Sequence, residues 1–465
     1  MTPLPTPTPI PTPASTATTA LTSALTTAIT PPPTTAITPA VTTAITPALT
    51  AAITPAVTTA ITPAVTTATT PALTTDMAPA LTTAAVTPTP IHDAARNPAR
   101  ASPSPSSSLS SSRSPSPLTV TVIIPAHNEE LGLPATLRSI KSQTIPPDKI
   151  IVIDDASTDH TGAIAASYGV TVLRPPHNLG SKAKAQNHAL PHCDTDLILA
   201  VDADTVLSPD YIEHLKPAFH DPAVQIAAGN VQTRFTRTPW ERGRSTEYLF
   251  GFHWHRPIQQ LANSPMVCSG CCSMFRRTAL TESGGFPERT IVEDMDFTWS
   301  QQLAGRRAVY VSDAVAWAAD PESLTYLRKQ VWRWMAGFMQ NVRLHLPRLL
   351  TRKPMLATWI IVALLEILIA PLWWATPLLL TTAFHEPITH TLAWWTGGEL
   401  ILTVPALLYA ARRRHLPITQ VLLNLPFVYL NKAVNLYYAW KALLVELILV
   451  PLHLSQGLVI YEKGR

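Results

Sequence analysis

The chain has 465 residues, which is enough for two or three domains. Its formal net charge is only +4, and its Lys and Arg residues form no run interleaved with aromatic residues. Nucleic acid is therefore not an expected partner.

The first 117 residues differ in composition from the rest. From Thr34 an eight-residue unit, TTAITPAV, recurs about six times with drift, and a Ser/Pro tract follows it. Proline in every repeat opposes helix and central strand, and large apolar residues for a core are missing. We expect residues 1–117 to be a disordered tail, either inert, produced by a misassigned start codon, or used as a tether. It lacks the basic start and the unbroken apolar stretch of a signal peptide.

Apolar β-branched runs alternate with helix-like stretches from residue 118 onwards. This alternation predicts an α/β domain over 118–350 with a mostly parallel, Rossmann-like sheet covered on both faces. The predicted strands are Thr119–Ile124, Lys149–Ile153, Thr171–Leu173, Leu197–Val201 and Gln225–Ala228. The predicted crossover helices are Glu130–Gln143, Thr161–Tyr168, Lys182–Ala189 and Pro209–Phe219.

Three of these strands end in polar residues. The first runs into Pro125–Glu129, the second into Asp154–Asp159, and the fourth into Asp202-Ala203-Asp204. Because the carboxyl ends of parallel strands meet at one edge, we expect one ligand crevice there. Two carboxylates one residue apart suit Mg²⁺ or Mn²⁺, with a diphosphate completing the coordination.

Three further motifs follow the same order as in a known family. They are the segment Asn178–Asn187, the pair Glu293-Asp294, and Gln330-x-x-Arg333-Trp334. Together with the strand ends, they resemble the inverting family-2 glycosyltransferases with a GT-A fold. The set is most similar to the processive membrane branch, which comprises the hyaluronan, chitin, cellulose and poly-N-acetylglucosamine synthases.

The resemblance implies a nucleotide-sugar donor, most simply a UDP-sugar. Asp155 would then accept from the base, and Lys182 would contact the diphosphate, with Lys184 as the competing lysine. Asp202 and Asp204 would hold the metal, Asp202 also reaching the ribose. The remaining donor contacts would be Pro125, Ala126, Glu129 and Asp154.

On the acceptor side, the resemblance makes Asp294 the base that takes a proton from the attacking hydroxyl, with Glu293 beside it. Direct attack inverts the anomeric carbon, so a second carboxylate nucleophile is not needed. Gln330, Arg333 and Trp334 share one helix face. Arg333 would bind the diphosphate, and Trp334 would face the acceptor sugar.

The four cysteines are Cys193, Cys268, Cys271 and Cys272. The last three form CxxCC, which lacks the second half of a zinc site. We interpret all four as small buried residues in a reducing compartment.

The C-terminal part, residues 351–465, is predicted to be a transmembrane region of two to four helices. Met355–Phe384 and Leu392–Ala411 are long apolar stretches. Leu416–Leu430 is either an interfacial segment or part of a span running on towards Trp440, and Ala433–Leu454 is another candidate. Basic residues flank the first two stretches, which places the catalytic domain in the cytoplasm of a multi-pass membrane protein.

The function expected from the sequence is transfer of sugar from a nucleotide-sugar to a growing β-linked polysaccharide. The expected partners are the donor, the acceptor chain and membrane lipids, with a separate export protein left open. One alternative is a single transfer to a lipid acceptor, polyprenyl phosphate or diacylglycerol, making a glycolipid. A more remote alternative is a non-catalytic subunit that binds nucleotide sugars.

Overall fold

The computed structural model describes residues 118–456. The predicted disordered tail, residues 1–117, lies outside the described residues, as do residues 457–465.

Strands and helices alternate in the described chain before four long helices close it. The strands are β1 Val120–Ala126, β2 Lys149–Asp154, β3 Thr171–Leu173, β4 Leu197–Ala200, β5 Val206–Leu207, β6 Val224–Thr233, β7 Ser273–Arg276 and β8 Arg307–Ala318. The α-helices are α1 Leu133–Lys141, α2 Thr161–Ser167, α3 Lys182–Ala189, α4 Tyr211–Leu215, α5 Pro239–Phe250, α6 Arg256–Leu261, α7 Arg277–Glu282, α8 Glu293–Leu303, α9 Leu324–Arg352, α10 Pro354–Phe384, α11 Ile388–Arg413 and α12 Ile418–Ala442. Short 3₁₀ segments cover Leu190–His192 and Lys216–His220, and π-helical segments cover Gly251–His255 and Leu443–Leu449.

One mixed sheet joins the eight described strands in the order β3-β2-β1-β4-β7-β6-β8-β5. β3, β2, β1 and β4 are parallel neighbours, as predicted. β7 pairs antiparallel with both β4 and β6, and β5 pairs antiparallel with β8. The expectation of a mostly parallel sheet therefore holds for strand direction, since six strands run one way, but two reversed strands make the sheet mixed.

Alternating residues of the central strands enter different cores. Val122 and Ile124 of β1 pack under α1, whereas Ile123 packs on the opposite side with residues of α3 and α8. A strand buried on both faces reads as an uninterrupted apolar run. This arrangement leaves the carboxyl ends of β1, β2 and β4 together at one edge.

The bounds and the hydropathy of the long C-terminal helices differ from those of the predicted segments. Within the described residues, α10 alone is long and apolar enough to cross a membrane, with a mean hydropathy of 2.3 over its most apolar window. It runs unbroken through Pro371 and Pro377. α11 carries Glu399 and does not reach the same hydropathy. Of the two alternatives for Leu416–Leu430, the continuous one is found: α12 runs unbroken from Ile418 to Ala442, past Trp440.

Helix α8 is fixed against α9 by polar and apolar contacts. His345 Nε2 of α9 lies 2.8 Å from Asp296 Oδ1 of α8, and Arg289 binds the same carboxylate through two nitrogens. Although burial raises the pKa of Asp296, the hydrogen bonds from Arg289 and His345 lower it overall. Gln340 Oε1 accepts a hydrogen bond of 3.1 Å from the Ile291 amide. The start of α8 thus has a position set by α9.

Gly337 provides the closest approach between α9 and the loop before α8. A Cβ there would overlap Val292 Cγ2 and lie 3.1 Å from Ile291 Cγ1. We expect Gly337→Ala to lower the thermal midpoint and the transfer activity expected from the sequence, because overpacking costs about 1–3 kcal/mol and displaces the residues before Glu293. Gly398→Ala in α11, where a Cβ meets nothing within 4 Å, should leave both unchanged. Equal activity of the two variants would contradict this packing argument.

Candidate functional site

A single cavity of about 1400 Å³ runs from the carboxyl edge of the sheet to the C-terminal helices. Pockets for one small molecule are typically about 300–1,000 Å³. The volume therefore leaves room for a donor and part of an acceptor. Its lining includes these predicted site residues: Pro125, Ala126, Asp155, Lys182, Asp202, Asp204, Glu293, Asp294, Gln330, Arg333 and Trp334.

Asp155 lies at the sheet end of the cavity, at the point where β2 ends. Its Oδ1 accepts a hydrogen bond of 2.8 Å from the Leu179 amide, and its carbonyl accepts one of 3.2 Å from Asn178 Nδ2. His127 Nδ1 is 2.7 Å from the same carbonyl. The loops after β1, β2 and β3 thereby hold one carboxylate in a fixed position in the wall.

Two residues predicted to bind the donor do not line the cavity. Asp154 is fully buried, where its Oδ1 accepts from the Ser157 amide and its Oδ2 pairs with Arg174 at 3.1 Å. Glu129 is 1% exposed, and its backbone amide donates to Thr161 Oγ1 at 2.7 Å. Both residues lie beneath the wall, where they hold the loops after β1 and β2, and their contact with a donor stays a prediction.

Lys182 is the central cation of the site. Ser181 caps α3 by accepting from the Lys184 amide, which places Lys182 in the first turn. The Lys182 Nζ lies 2.5 Å from Asp202 Oδ1, 3.0 Å from the Gly270 carbonyl and 3.8 Å from Glu293 Oε1. Lys184 is exposed and does not line the cavity. Of the two lysines, Lys182 is the one placed to meet an anion.

Asp202 and Asp204 follow β4 at the edge of the cavity. The Asp202 amide donates to the Cys271 carbonyl at 3.1 Å, and the Thr205 amide donates to the Asp202 carbonyl at 3.0 Å, so the turn is held from both sides. Both side chains are hard oxygen donors, which fits Mg²⁺ or Mn²⁺ rather than a soft metal. Among residues 118–456, the structure groups no set of three or more His, Cys, Asp or Glu side chains for a metal. A divalent ion held by these two carboxylates would take its remaining ligands from water or from a bound diphosphate.

Asp294 lies at the start of α8, facing the loop that precedes β7. Its Oδ2 accepts 2.7 Å from the Gly270 amide, and its Oδ1 accepts 2.8 Å from the Met295 amide. A Cβ on Gly270 would be 3.2 Å from Asp294 Oδ2 and 3.3 Å from Lys182 Nζ. The glycine thus permits the loop to lie against the carboxylate, which is half-buried and oriented by two backbone donors.

Glu293 is buried next to Asp294. Burial raises the pKa of Glu293 to about 7, against the opposing effect of the Lys182 ammonium. Its neighbours Asp202 and Asp294 also favour the neutral form. Both carboxyl groups line the cavity, Glu293 buried and Asp294 half-buried, so two adjacent carboxyl groups have different environments there.

Gln330, Arg333 and Trp334 project from α9 into the middle of the cavity. Arg244 of α5 donates to Gln330 Oε1 at 3.2 Å, and the centre of its guanidinium group lies 4.9 Å from the Trp334 ring. Trp334 therefore has a cation against its ring and also lines the cavity. An indole in this setting is suited to pack on a sugar ring.

Sequence reasoning missed His127 and Asp320 in this wall and Arg244 behind it. His127 lies in a quoted strand end without a role, whereas Arg244 and Asp320 belong to no motif. Asp320 is 5% exposed and lines the cavity after β8. Burial raises the pKa of Asp320 to about 7, although the charge of Arg244 lowers it.

The raised pKa of Asp320 predicts a pH-dependent stability. The unfolded carboxyl loses its proton near pH 4, whereas the folded one keeps it to about 7, so stability falls as pH rises between these values. In Asp320→Asn, the thermal midpoint relative to wild type should therefore rise between pH 5 and pH 8. The exposed Asp313→Asn, on the same strand, should show a constant difference. Parallel curves for the two variants would contradict the prediction.

The far end of the cavity lies among α10, α11 and α12. Glu399 accepts from Trp373 Nε1 at 2.8 Å and pairs with Lys432 at 3.1 Å. Four aromatic residues line the cavity with this pair and contact one another with ring centroids 6.0–6.4 Å apart: Trp373, Trp374, Trp395 and Tyr429. Glu366 also lines the cavity, whereas Glu446 bonds Gln340 and Lys441 lies over Trp332. The ionisable residues of the C-terminal helices thus divide between the cavity wall and packed pairs.

The cysteines are free thiols. Cys193, Cys268 and Cys272 are buried, and Cys271 is half-buried in the cavity wall. Burial raises the pKa of the Cys193 thiol to about 11 and of Cys268 to about 12. These two thiols are protonated and unreactive at neutral pH.

Comparison with known proteins assigns the arrangement to a family. Residues 121–284 match the model of glycosyl transferase family 2. An N-acetylglucosaminyltransferase of Rhizobium meliloti (strain 1021) is 30% identical over 293 residues, which cover 59% of this chain and 67% of that protein. The chain belongs to glycosyltransferase family 2. It is an enzyme of that family, with relatives among the N-acetylglucosaminyltransferases and polysaccharide synthases.

Two further proteins, one compared by sequence and one by structure, are similar to this chain. A poly-β-1,6-N-acetyl-D-glucosamine synthase of Staphylococcus aureus (strain COL) is 28% identical over 223 residues, and the match spans about half of each protein, 46% of this chain and 53% of that one. Among solved structures, a mannosyltransferase of Pyrobaculum calidifontis in complex with GDP-Man and Mn²⁺ has a TM-score of 0.50 and 23% identity, covering 69% of this chain and 87% of that one. This second likeness supports the GT-A-like fold.

Proposed function

We propose that the chain is a membrane-embedded synthase that adds N-acetylglucosamine from UDP-N-acetylglucosamine to a growing β-linked polysaccharide. The observation that carries the proposal is the continuity of the cavity. One space connects the carboxylates at the sheet edge, the Trp334 ring and the aromatic residues between the C-terminal helices. A polymer made at one end would meet sugar-binding surfaces along its whole path.

The donor would bind at the sheet end. Asp155 offers a fixed carboxylate for the imide of the base, with Pro125 and Ala126 beside it. Lys182, in the first turn of α3, offers a positive charge for the diphosphate. Asp202 and Asp204 would hold Mg²⁺ or Mn²⁺, which when bound stabilises the negative charge on the departing diphosphate. The manganese complex of the Pyrobaculum mannosyltransferase supports this choice of metal.

The acceptor would bind on the Trp334 side. Asp294 would accept the proton of the attacking hydroxyl, because its oxygens are oriented into the cavity by the Gly270 and Met295 amides. Arg333 would meet the diphosphate from the opposite side to Lys182. Attack on the face opposite the leaving group inverts the anomeric carbon, so the chemistry needs one base and one stabilised leaving group.

The membrane assignment rests on α10 and its neighbours. α10 passes the length and hydropathy test, and large apolar side chains are exposed along α10, α11 and α12, among them Leu372, Trp394, Leu402 and Leu423. Exposed apolar surface of this extent is covered by lipid or by another protein. With the basic ends of α9 and α11 on the cytoplasmic side, the catalytic domain faces the cytosol, where nucleotide sugars are made.

The test uses membranes containing the full chain, radiolabelled UDP-N-acetylglucosamine and Mn²⁺, with Asp204→Asn and the exposed Asp313→Asn as matched carboxylate variants. We expect a high-molecular-weight product that EDTA and Asp204→Asn abolish and Asp313→Asn does not. A labelled product that extracts into organic solvent would replace the polymer with a glycolipid. Transfer that survives both EDTA and Asp204→Asn would overturn the metal assignment.

A further inference from the structure

Three ionisable side chains are buried together behind the predicted acceptor-binding helix face. The side chains of Arg244, Glu247 and Asp320 are 5%, 16% and 1% exposed. Arg244 Nη1 lies 2.6 Å from Glu247 Oε2, and its Nε lies 3.9 Å from Asp320 Oδ1. Charges are retained in such places only when they are paired, and their removal from water is costly. The cluster therefore calls for a reason beyond stability.

Arg244 connects this cluster to the cavity wall. Its Nη2 donates to Gln330 Oε1 at 3.2 Å, and its guanidinium carbon is 4.9 Å from the centre of the Trp334 ring. Gln330 and Trp334 are one turn apart on the same face of α9. A planar guanidinium that hydrogen-bonds one residue and lies against the ring of the other fixes both relative to α5.

The cluster also reaches the helices of the membrane region. Asn435 Nδ2 of α12 donates to Glu247 Oε1 at 2.9 Å, and Asn435 itself lines the cavity. Arg244 is thus held between α9, α12 and the end of β8, three elements of the wall on the acceptor side. The donor end of the cavity is built from the loops after β1, β2 and β4.

We propose that Arg244 is a positioning residue for the acceptor: it sets the plane of the Trp334 indole and the rotamer of Gln330, and so controls binding of the acceptor sugar without contributing to donor binding. This inference rests on the proposed function, because it assumes that Trp334 packs on an acceptor saccharide. It assigns a role to a residue outside the family-like motifs quoted from the sequence.

Arg244→Lys tests the inference, because lysine keeps the charge for Glu247 and loses the planar fork. Arg242→Lys is the matched control: Arg242 lies on the same helix, where it bonds Asn424 and the Leu423 carbonyl and lies over Phe427, away from the cavity. Initial rates are measured in membranes with varied UDP-N-acetylglucosamine and varied β-linked N-acetylglucosamine pentasaccharide. Thermal midpoints of both variants are measured in detergent.

We expect Arg244→Lys to raise the KM for the pentasaccharide at least fivefold and to shorten the polymer, with the donor KM within twofold of wild type. Arg242→Lys should leave both KM values unchanged. In a Trp334→Phe background, the effect of Arg244→Lys on the pentasaccharide KM should shrink, since the two residues act through one contact.

Three outcomes would overturn the inference. An unchanged pentasaccharide KM in Arg244→Lys, or a parallel rise of both KM values, would make Arg244 a structural residue only. An effect that is fully retained in the Trp334→Phe background would show that Arg244 does not act through the indole. In each case wild-type polymer synthesis would leave the proposed function standing. Absence of transfer by the wild-type protein would overturn both proposals together.

Discussion

Asp294→Asn should reduce the turnover number for sugar transfer by about 10³-fold while UDP binding stays within twofold of wild type. A positioned general base contributes about 10²–10⁴-fold to rate, and asparagine has the shape of aspartate without the ability to take up a proton at neutral pH. Asp294 receives hydrogen bonds from the Gly270 and Met295 amides at the start of α8, whereas Asp155, proposed to bind the base, is held by the Leu179 amide at the end of β2.

Single-turnover rates with labelled donor, and titration calorimetry with UDP and Mn²⁺, measure the two quantities separately. The exposed Asp313→Asn controls for the loss of one negative charge. A variant that keeps more than a tenth of the wild-type rate would show that another group takes the proton. A parallel loss of UDP binding would show that Asp294 acts on the donor instead.

Lys182→Met should lower kcat/KM for the donor by about 10–100-fold, mainly through a higher donor KM. Hydrogen bonds to charged groups contribute about 1.5–3 kcal/mol, and the Lys182 ammonium makes contacts with both Asp202 and the Gly270 carbonyl. Its removal also leaves Asp202 and Glu293 close together without the intervening cation, which favours protonation of Glu293 and weakens anion binding.

Lys184→Met is the matched control, since Lys184 lies two residues further on in the same helix and points to solvent. We expect its donor KM to equal that of the wild type. A larger loss in Lys184→Met than in Lys182→Met would show that the first turn of α3 reorients when the donor binds. The thermal midpoints of both variants establish that the comparison concerns folded protein.

The parts of the fold that follow from local sequence were predictable. β3 and α3 have the predicted bounds, because a short β-branched run and a Ser-capped helix carry their own signals. β7 was not predicted, because the four residues Ser273–Arg276 form a strand only by pairing with β4 and β6, which are distant in sequence. Such pairings have no short-range pattern.

In the site too, residues with a local sequence signal were predicted and residues that depend on distant contacts were not. Strand ends and motif order pointed to Asp155, Lys182, Asp202 and Asp294, all of which line the cavity. Asp154 shares a motif with Asp155 but points into the interior, because alternate residues at the end of a strand face opposite sides. Arg244 and Glu247, three residues apart in a helix, have the spacing of an ordinary surface ion pair. Their burial depends on α12, whose Asn435 lies almost two hundred residues away.

Because α9 packs against α8, the number of residues between the cavity-lining part of α9 and its contact with α8 is constrained. One face of α9 carries Gln330 and Trp334 near its start and His345 further along. The 11 residues from Trp334 to His345 (345 − 334) make close to three turns at about 3.6 residues per turn, so the two side chains leave the helix in nearly the same direction. The first two residues line the cavity, and His345 holds Asp296, two residues beyond the predicted base. Inserting or deleting one residue between Trp334 and His345 would rotate Gln330 and Trp334 by about 100° around the helix axis relative to the predicted base. The length of the helix would change by only about 1.5 Å. Between Trp334 and His345, substitutions should therefore be tolerated far better than insertions or deletions.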